Sequence, residues 1–422
     1  MIRRIQALNY RCLRHLDVSL DRLHLLVGPH GAGKSTLFDL LLFLGDFVRD
    51  GPAAAVDART DEFRDLVCGR PSDDPRFELA IEFEIPDSCR DALPDEKDFR
   101  TYRYELVVGC DGEGARIDAE RGILAPAARP APEQETLFPD LPEPPATLLA
   151  TSRPGANTVL SKSPGNDWFY PETAPGRAWG ATRVNLGPRR AALGSLPVSS
   201  GTAPVATALK RFLATGVKRL HPRAEAIRRP CPPASPADGF AADGSNVPLL
   251  VRQLESRDPS AFNRWLQRLR NAVPGMEDVR VTEREADKFV QLAVRYGNDL
   301  EIPAHLESSG TLRLLAMTLL NHLAEDGTIY LVREPERGMD HQSLGAVHDT
   351  LSSVSGAQVL AATHSHELSG LFEPKEVLDF RRGPSGETVV VRADAREAAS
   401  SHEKPSPGSE PPQGGQPEAA GS

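Results

Sequence analysis

The chain has 422 residues, 40% of them hydrophobic and 26% charged, as expected of a globular protein with two or three packed units. Its longest apolar run, residues 37–44, is far shorter than the roughly 20 residues that cross a bilayer, and its first residues resemble no signal peptide, so no membrane partner is predicted. The formal net charge of −10 disfavours indiscriminate nucleic-acid binding, and five scattered cysteines indicate neither zinc nor disulfides, so we expect a cytoplasmic location.

The N-terminal part of the chain is predicted to consist mainly of strands around one glycine-rich loop. Alternation with period two indicates strands, and leucines at spacings of three and four indicate a helix after the loop. In chain order, the predicted elements are strands over residues 2–7, 16–20 and 23–27, a helix from Ser35, and antiparallel strands over residues 76–86, 102–109 and 116–124. The segment 125–175 is dense in proline and glycine, which predicts long loops.

The C-terminal part alternates helices and strands, which predicts a sheet that is at least partly parallel. Two helical stretches come first, and the second is interrupted where Pro259 can begin a new helix. In chain order, the predicted elements are helices over residues 204–228 and 248–272, a helix after residue 306, a strand over 328–332, a helix over 341–354, a strand over 358–362, and a hairpin turning at 383–386. After residue 396 the composition predicts a disordered tail.

A phosphate-binding loop is predicted between the strand at 23–27 and the helix after it. The sequence GPHGAGKS fits the pattern G-x-x-x-x-G-K-[ST], in which backbone amides and the positive end of the helix dipole point at phosphate oxygens. We expect Lys34 to reach the outer phosphates of ATP and the Ser35 hydroxyl to ligate Mg²⁺. The residues predicted to bind nucleotide are Gly28, Pro29, His30, Gly31, Ala32, Gly33, Lys34, Ser35 and Thr36. The alternative is a glycine-rich turn that binds nothing.

A second group of candidate residues lies in the C-terminal part. Ser309 and Gly310 begin an apolar helix, where Ser309 is a good N-cap and the exposed amides suit a second phosphate-binding surface. A simple helix cap is the alternative. The order of the next elements favours the functional interpretation. Glu334 ends an apolar strand, where an acid can activate water, and His364 ends the next strand, where it can contact a terminal phosphate.

With these motifs the chain resembles the RecF/SMC-like ABC-class ATPases, in particular the small AAA proteins related to the ATPase part of OLD-type nucleases. The matching stretches are LNYRCLRHL, GPHGAGKS, DGSN, ESSGTLRLL, REPERGMDH and ATHSHEL. The resemblance implies a homodimer of heads in head-to-tail contact, in which Ser309 and Gly310 of one subunit face the ATP of the other. It also implies that Glu334 is the catalytic base, His364 the γ-phosphate switch residue, and residues 337–340 the D-loop at the dimer interface.

The resemblance implies an α/β fold: a P-loop NTPase head of ABC type with a mixed sheet, an antiparallel β subdomain and a helical insertion. The predicted parts are the N-terminal head over residues 1–60, the β subdomain over 61–124, a loop-rich and helical insertion over 125–300, the C-terminal head over 301–395, and the disordered tail over 396–422. A transporter ATPase is excluded, because the two phosphate-binding motifs lie too far apart in the sequence. We expect any nuclease activity to come from another chain.

Two positions depart from the family pattern. Arg333 stands where the family has an acid that supports Mg²⁺, and loss of such a partner typically costs about 10–100-fold in metal affinity or activity, so slow hydrolysis is expected. With a positive charge close to the metal, either nucleotide binds with less reliance on Mg²⁺ or a neighbouring acid such as Glu336 compensates. The alternative for the Arg333 side chain is that it simply turns to solvent or pairs with Glu336. His30 stands where these loops usually carry Asn, and its expected effect is modest.

The segment 183–229 is strongly basic and contains one acid, Glu225. Its basic residues are Arg183, Arg189, Arg190, Lys210, Arg211, Lys218, Arg219, Arg223, Arg228 and Arg229. Such a stripe can follow a phosphate backbone, so DNA is a predicted partner. The alternative is that these basic residues are only solvated or paired with acids.

The leading hypothesis is an ATP-driven dimeric switch that gates a partner effector encoded nearby, or engages DNA, in phage defence or genome maintenance. The alternative is a non-hydrolysing scaffold that binds ATP.

Overall fold

The computed structural model describes residues 1–71, 73–94, 98–126, 143–150, 155–173, 180–196, 201–233, 239–383 and 386–393. The strands in these ranges are β1 (Ile2–Tyr10), β2 (Leu13–Ser19), β3 (Leu23–Val27), β4 (Arg76–Glu84), β5 (Thr101–Asp111), β6 (Gly114–Ala125), β7 (Asn157–Ser163), β8 (Asn166–Phe169), β9 (Thr182–Val184), β10 (Val217–Leu220), β11 (Met276–Glu283), β12 (Val290–Tyr296), β13 (Leu300–Pro303), β14 (Ile329–Arg333), β15 (Gln358–Thr363), β16 (Val377–Arg382) and β17 (Thr388–Arg392). The predicted tail after residue 396 lies outside the described residues.

The helices in the same ranges vary from single turns to five turns. They are α1 (Lys34–Asp50), α2 (Pro52–Asp57), α3 (Asp87–Arg90), α4 (Ala192–Ser195), α5 (Pro204–Arg211), α6 (Ala224–Ile227), α7 (Val247–Arg257), α8 (Pro259–Ala272), α9 (Ser309–Leu323), α10 (His341–Ser353) and α11 (His366–Ser369). Within the described part of the chain, no helix combines the length and apolar character needed to cross a membrane.

A six-stranded sheet in the order β10-β14-β15-β3-β16-β17 carries the predicted site. Its first five strands run parallel, and β17 returns antiparallel as the second strand of the predicted terminal hairpin. Alternate residues of β3 point to opposite faces, so Leu26 joins the core around α1, whereas Leu25 and Val27 join the core around α9 and α10. Helices therefore cover both faces, as is usual for parallel sheets, and the fold class is α/β as predicted.

Helix α1 is buried on most sides because it lies between two sheets. Its residues Leu40, Phe43, Leu44 and Phe47 are fully buried. They share one core with the central sheet and with an eight-stranded antiparallel sheet in the order β2-β1-β4-β5-β6-β7-β8-β9. Because α1 begins at Lys34, this packing on two sides fixes the position of the glycine loop that precedes it.

The antiparallel sheet extends further in both directions than the sequence predicted. Strand β1 pairs with β4 as well as with β2, so the N-terminal strands belong to this sheet and not to the central one. The prediction of long loops over residues 125–175 is wrong at β7 and β8, which form a hairpin between β6 and the edge strand β9. Their register pairs Leu160 with Phe169, an apolar contact that the glycine-rich and polar composition around it concealed.

The predicted helix over residues 204–228 is wrong at β10 (Val217–Leu220), although its last part contains the short helix α6 (Ala224–Ile227). The chain runs through α5 and one π-helical turn (Phe212–Gly216), and then becomes β10, which pairs in parallel with β14. Leu220 is fully buried in this strand, whereas Lys218 and Arg219 are partly or fully exposed. Pairing with a distant strand outweighs the local helical pattern here, as tertiary context often does.

The insertion over residues 125–300 contains strands as well as helices. A three-stranded antiparallel sheet in the order β11-β12-β13 shares a core with α7 and α8. The predicted break between these helices is confirmed, because Asp258 caps α8 by accepting a hydrogen bond from the N–H of Ala261 (2.9 Å). The buried Trp265 donates to the hydroxyl of Thr318 on α9 (2.9 Å), which connects the insertion to the helix that begins at Ser309.

A buried carboxylate, that of Glu172, caps helix α5. It accepts hydrogen bonds from the backbone N–H groups of Val205 (2.6 Å) and Ala206 (2.9 Å). Burial raises the pKa of Glu172 from an ordinary value of 4.5 to about 7, although the two hydrogen bonds lower it. Because the folded-state pKa is the higher one, the stability that this group contributes is fully present below the unfolded-state pKa and is lost as the pH rises through the folded-state pKa.

We therefore expect the unfolding free energy of the wild type to fall, relative to Glu172→Gln, by on the order of 1 kcal/mol between about pH 6 and pH 8. Glutamine keeps an acceptor for the cap but does not titrate. Urea titrations at the two pH values measure the difference, and Glu255→Gln on the exposed side of α7 is the matched control. Equal pH dependence of wild type and Glu172→Gln would contradict the raised pKa.

Candidate functional site

The predicted phosphate-binding loop lies between β3 and α1, at the carboxyl edge of the central sheet. Gly28 and Gly33 have φ angles of 149° and 102°, in the region that favours glycine. A Cβ atom on Gly28 would lie 2.1 Å from the carbonyl oxygen of Phe380, and one on Gly33 would lie 2.3 Å from Oγ1 of Thr388. The hairpin of β16 and β17 thus packs directly against the loop, so that only glycine fits at either position.

Lys34 and His364 meet at this loop, although 330 positions separate them in the sequence. Lys34 Nζ donates hydrogen bonds to the carbonyl oxygens of Gly28 (2.6 Å) and Pro29 (3.0 Å), and it lies 3.3 Å from Nδ1 of His364. His364 Nδ1 lies 2.9 Å from the same Gly28 oxygen, so this nitrogen carries a proton and donates. The ring of His30 packs on that of His364, with centroids 3.8 Å apart.

Burial and neighbouring charges set the protonation states of these groups. Burial lowers the pKa of His364, and the positive charges of Lys34 and His30 lower it further, so His364 is neutral at about pH 7. Burial also lowers the pKa of Lys34, but the negative charges of Glu336 and Glu334 oppose this effect. The loop therefore combines the ammonium group of Lys34, the stacked imidazoles of His30 and His364, and two nearby carboxylates.

Glu334 follows the last residue of β14 in an uncommon backbone conformation. Its φ angle is 46°, in the left-handed region that residues other than glycine rarely adopt. The N–H of Glu334 donates to the carbonyl oxygen of Ala362 (2.8 Å), which connects it to the end of β15. Its carboxylate is 28% exposed and lies 3.2 Å from Arg337 Nη1. Strained backbone of this kind is frequent at active sites.

Arg333 and Glu336 point to different surroundings. Arg333 is exposed, and within the described ranges its side chain makes no hydrogen bond or ion pair. Among the alternatives for Arg333, the structure therefore shows the one in which it turns to solvent. Glu336 instead accepts a hydrogen bond from the hydroxyl of Thr363 (2.6 Å), at the end of β15.

The second motif lies at the start of α9, where the cap is Ser308 and not the predicted Ser309. The hydroxyl of Ser308 accepts a hydrogen bond from the N–H of Thr311 (3.1 Å), so Ser309 is the first helical residue. Because Ser309 is not the cap, its hydroxyl is available to another partner. It accepts a hydrogen bond from Arg228 Nη2 (2.9 Å). The simple-cap alternative for Ser309 is therefore wrong.

Gly310 lies in backbone contact with residues 337–340, the predicted D-loop. A Cβ atom on Gly310 would lie 2.3 Å from the carbonyl oxygen of Gly338. Further along α9, Arg313 donates to the carbonyl oxygen of Arg337 (3.1 Å). In the part of the chain that the structure describes, no hydrogen bond joins Ser309 or Gly310 to residues 28–36.

Three side chains near the motifs were not predicted to belong to the site. Arg382 at the end of β16 donates through Nε to the carbonyl oxygen of Gly31 (3.3 Å), Thr363 holds Glu336, and Arg228 holds Ser309. Thr363 and Arg382 end the two strands that flank β3, and this position at the strand ends is the signal that would have indicated them.

The basic residues of the segment 183–229 are spread over several elements. They lie on β9, α5 and β10, at the two ends of α6, and in loops. Lys210 donates to two backbone carbonyl oxygens at 2.6 Å, and Lys218 lies 3.4 Å from Glu325. The alternative that these basic residues are paired within the protein therefore holds for Lys210 and Lys218. DNA binding by the segment stays a prediction.

The residues present fit nucleotide phosphate and Mg²⁺. The glycine loop and Lys34 provide amide and ammonium donors, which are the groups that bind phosphate in such loops. Ser35 is exposed at the start of α1, where its hydroxyl is accessible to an ion. One oxygen of Glu336, Oε2, is buried and has no hydrogen-bond partner among the described residues, so an acceptor for a cation or its water is available.

One part of this chain matches a known protein family, and a shorter part matches a curated protein. Residues 208–369 match the family described as "AAA domain, putative AbiEii toxin, Type IV TA system". The OLD nuclease of Thermus scotoductus is 47% identical over 47 residues, which are 11% of this chain and 9% of that protein. The chain thus matches about a tenth of the length of this curated relative.

Solved head domains of Smc proteins are similar over most of the chain. The Smc head bound to the C-winged helix domain of ScpA has a TM-score of 0.49 at 13% identity and covers 92% of this chain and 97% of its own. A Smc head with an extended coiled coil, bound to the C-terminal domain of ScpA from Pyrococcus furiosus, has a TM-score of 0.48 at 12% identity, with coverages of 96% and 99%. The SMC head domain from Thermotoga maritima has a TM-score of 0.44 at 10% identity, with coverages of 93% and 98%.

Residues 208–369 carry an AAA-type match, and a stretch of 47 residues is similar to an OLD nuclease. To this extent the comparisons support the resemblance to ATPases related to OLD-type nucleases that the motifs predict. The family supports nucleotide binding, typically with Mg²⁺, and ATPase activity in general. The glycine loop at residues 28–36 lies outside the matched range.

Proposed function

We propose that the chain binds ATP and Mg²⁺ at residues 28–36 and hydrolyses ATP as a nucleotide-dependent dimeric switch. The observation that carries this proposal is the convergence of Lys34, Glu334, Glu336 and His364 on the loops after three strands of one sheet. Ligands of α/β folds bind outside the carboxyl ends of parallel strands, which is where these residues lie. The AAA-type match of residues 208–369 supports the same activity.

Each side chain has a distinct part in the proposed reaction. Lys34 exchanges its contacts with loop carbonyl groups for the outer phosphates of ATP. Neutral His364 likewise turns its single N–H, on Nδ1, from the carbonyl oxygen of Gly28 to the γ-phosphate. Glu334 accepts a proton from the attacking water as the new bond to phosphorus forms and the bond to ADP breaks. Mg²⁺, bound with Ser35, supplies positive charge beside the phosphate oxygens.

The second half of the proposed site comes from another subunit. Three arginines, Arg228, Arg313 and Arg337, lie around Ser309 and can donate to phosphate oxygens. After the larger effect of burial, the charge of Arg337 lowers the pKa of Arg313, the charges of Glu225 and Glu334 raise it, and that of Arg228 lowers it. Such a surface suits the phosphates of an ATP held by a second copy, and a two-fold symmetric dimer would form two identical sites.

In the proposed switch, ATP joins the two subunits and hydrolysis releases them. The arginines around Ser309 support the joining step, because their N–H groups could bind the phosphates of the partner's ATP. This change would gate a partner effector, in phage defence or genome maintenance. The second candidate is a scaffold that binds ATP without hydrolysis, and the exposed Arg333 at the position of an expected acid favours it.

A complementation experiment tests the shared site. Lys34→Ala disables the phosphate-binding loop, and Ser309→Glu places a negative charge where the partner's phosphates would lie, while its carboxylate can still accept from Arg228. Each variant alone is expected to be inactive. An equal mixture is expected to recover about a quarter of the wild-type rate of phosphate release, because half of the dimers are mixed and each has one intact site of two.

The double variant with both changes serves as the control, because mixing it with either single variant gives no intact site. Its mixtures are therefore expected to stay inactive. If Ser309→Glu alone hydrolyses ATP at the wild-type rate, the proposed role of this surface is wrong. A light-scattering measurement with ATP present reports separately whether the dimer forms.

A further inference from the structure

The end of β14 provides one basic residue and one acid that is already engaged. Arg333 is exposed, and the carboxylate of Glu334 lies 3.2 Å from Arg337. In the proposed reaction Glu334 accepts a proton from water. A second acid that supports the metal ion must then come from another position.

Glu336 is held in place through only one of its two carboxylate oxygens. Oε1 accepts hydrogen bonds from the hydroxyl of Thr363 (2.6 Å) and from the N–H of His364 (3.4 Å). Oε2 is buried and has no partner among the described residues. Burying a carboxylate oxygen without a hydrogen-bond donor or a cation costs free energy. A bound ligand that supplies such a group would remove this cost.

The charge of Glu336 acts on the phosphate-binding loop. Among the charge effects that oppose the burial of Lys34, that of Glu336 is larger than that of Glu334. Glu336 is therefore close to the group that contacts phosphate, and its contacts with Thr363 and His364 attach it to the strand that lies next to β3. These contacts with the end of β15 explain the position of Glu336 Oε1. They give no partner to Glu336 Oε2.

We infer that Glu336 is the acid that supports Mg²⁺ in this site, in place of the acid that is missing at position 333. Thr363 and the His364 amide orient the carboxylate through Oε1, and Oε2 accepts a hydrogen bond from the metal's water or from the Ser35 hydroxyl. Glu336 is then a positioning residue for the ion. The inference rests on the proposed function, because it requires nucleotide and Mg²⁺ at residues 28–36.

Fluorescent ADP and Mg²⁺ test this inference without turnover. Glu336→Gln keeps an oxygen that can accept from Thr363 but removes the charge. We expect the Mg²⁺ concentration that gives half-maximal ADP binding to rise about 10–100-fold in this variant, the usual range for loss of a group that supports a metal ligand. With EDTA present, ADP binding by the variant and the wild type is expected to be equal. Mn²⁺ in place of Mg²⁺, observed by electron paramagnetic resonance, gives a second readout of the bound ion.

Two further variants separate a metal role from a structural one. Arg333→Asp combined with Glu336→Gln restores an acid at the expected position, and we expect this double variant to regain most of the Mg²⁺ dependence of the wild type. Glu255→Gln, an exposed carboxylate on α7, is the matched control and is expected to behave as the wild type.

The outcomes distinguish this inference from the proposed function. If the wild type binds ADP more tightly with Mg²⁺ and Glu336→Gln shows the same dependence, the inference is wrong and the proposed function stands. If Glu336→Gln weakens ADP binding equally in EDTA, Glu336 only supports the shape of the loop, and the inference is again wrong. If the wild type binds no ADP under any condition, both are wrong.

Discussion

Glu334→Gln is expected to lower the rate of ATP hydrolysis by about 10²–10⁴-fold, the usual contribution of a general base. Glutamine has nearly the same shape but cannot accept the proton of the attacking water. The affinity for ATP is expected to remain, because Lys34 and the loop amides contact the phosphates. Steady-state phosphate release measures the rate, and fluorescent ATP analogues measure the affinity.

Arg333→Asp is the informative comparison for this first expectation. If the wild type and Glu334→Gln are equally inactive while Arg333→Asp hydrolyses ATP, the enzyme proposal is wrong and the scaffold alternative is favoured. If all three are active at similar rates, Glu334 is not the base. Both results can be interpreted only when the three proteins bind ATP, which the affinity measurement establishes.

Lys34→Ala is expected to weaken ATP binding by about 10–100-fold, since a hydrogen bond to a charged group contributes about 1.5–3 kcal/mol. The ammonium group already lies among the loop carbonyl oxygens, so a small movement brings it to the phosphates. Isothermal titration with ATP and Mg²⁺ measures the loss. Lys375→Ala, at an exposed surface position beside Glu373, is the matched control, and unchanged affinity in Lys34→Ala would exclude this loop as the ATP site.

Features that depend on neighbouring residues were predictable from the sequence. The strand, glycine loop and helix around Lys34 come directly one after another, and each carries its own signal. The start of α8 was equally clear, because Asp258 caps the helix and Pro259 begins it. The general α/β class was evident from the regular alternation of helices and strands in the C-terminal part.

Features that depend on pairing between distant segments were not predictable. Strand β10 forms because it pairs with β14, more than a hundred positions later. Its residues Lys218 and Arg219 interrupt the apolar alternation that would have predicted a strand. The same reason applies to β7 and β8 and to the three-stranded sheet of the insertion. Local periodicity contains no information on which partner a short strand will find.

The orientation of side chains after β14 was also beyond the sequence. A strand places successive side chains on opposite sides, but Glu334 adopts a φ angle of 46° and ends this alternation. The chain then turns so that Arg333 points to solvent and Glu336 reaches Thr363. The sequence left two orientations open for Arg333, toward solvent or toward Glu336, and only the backbone turn distinguished them.

The close approach of Gly310 and Gly338 determines how the two ATP sites of the proposed dimer would communicate. Backbone touches backbone there, so rotation of a side chain cannot relieve a displacement. Movement of the segment after Glu334, the proposed catalytic base, must therefore carry the start of α9 with it. In the proposed dimer that helix start would face the ATP of the opposite subunit, so a movement at one ATP site would be transmitted to the other. A rate below a quarter of the wild-type rate in the equal mixture would then report how strongly the two sites are coupled.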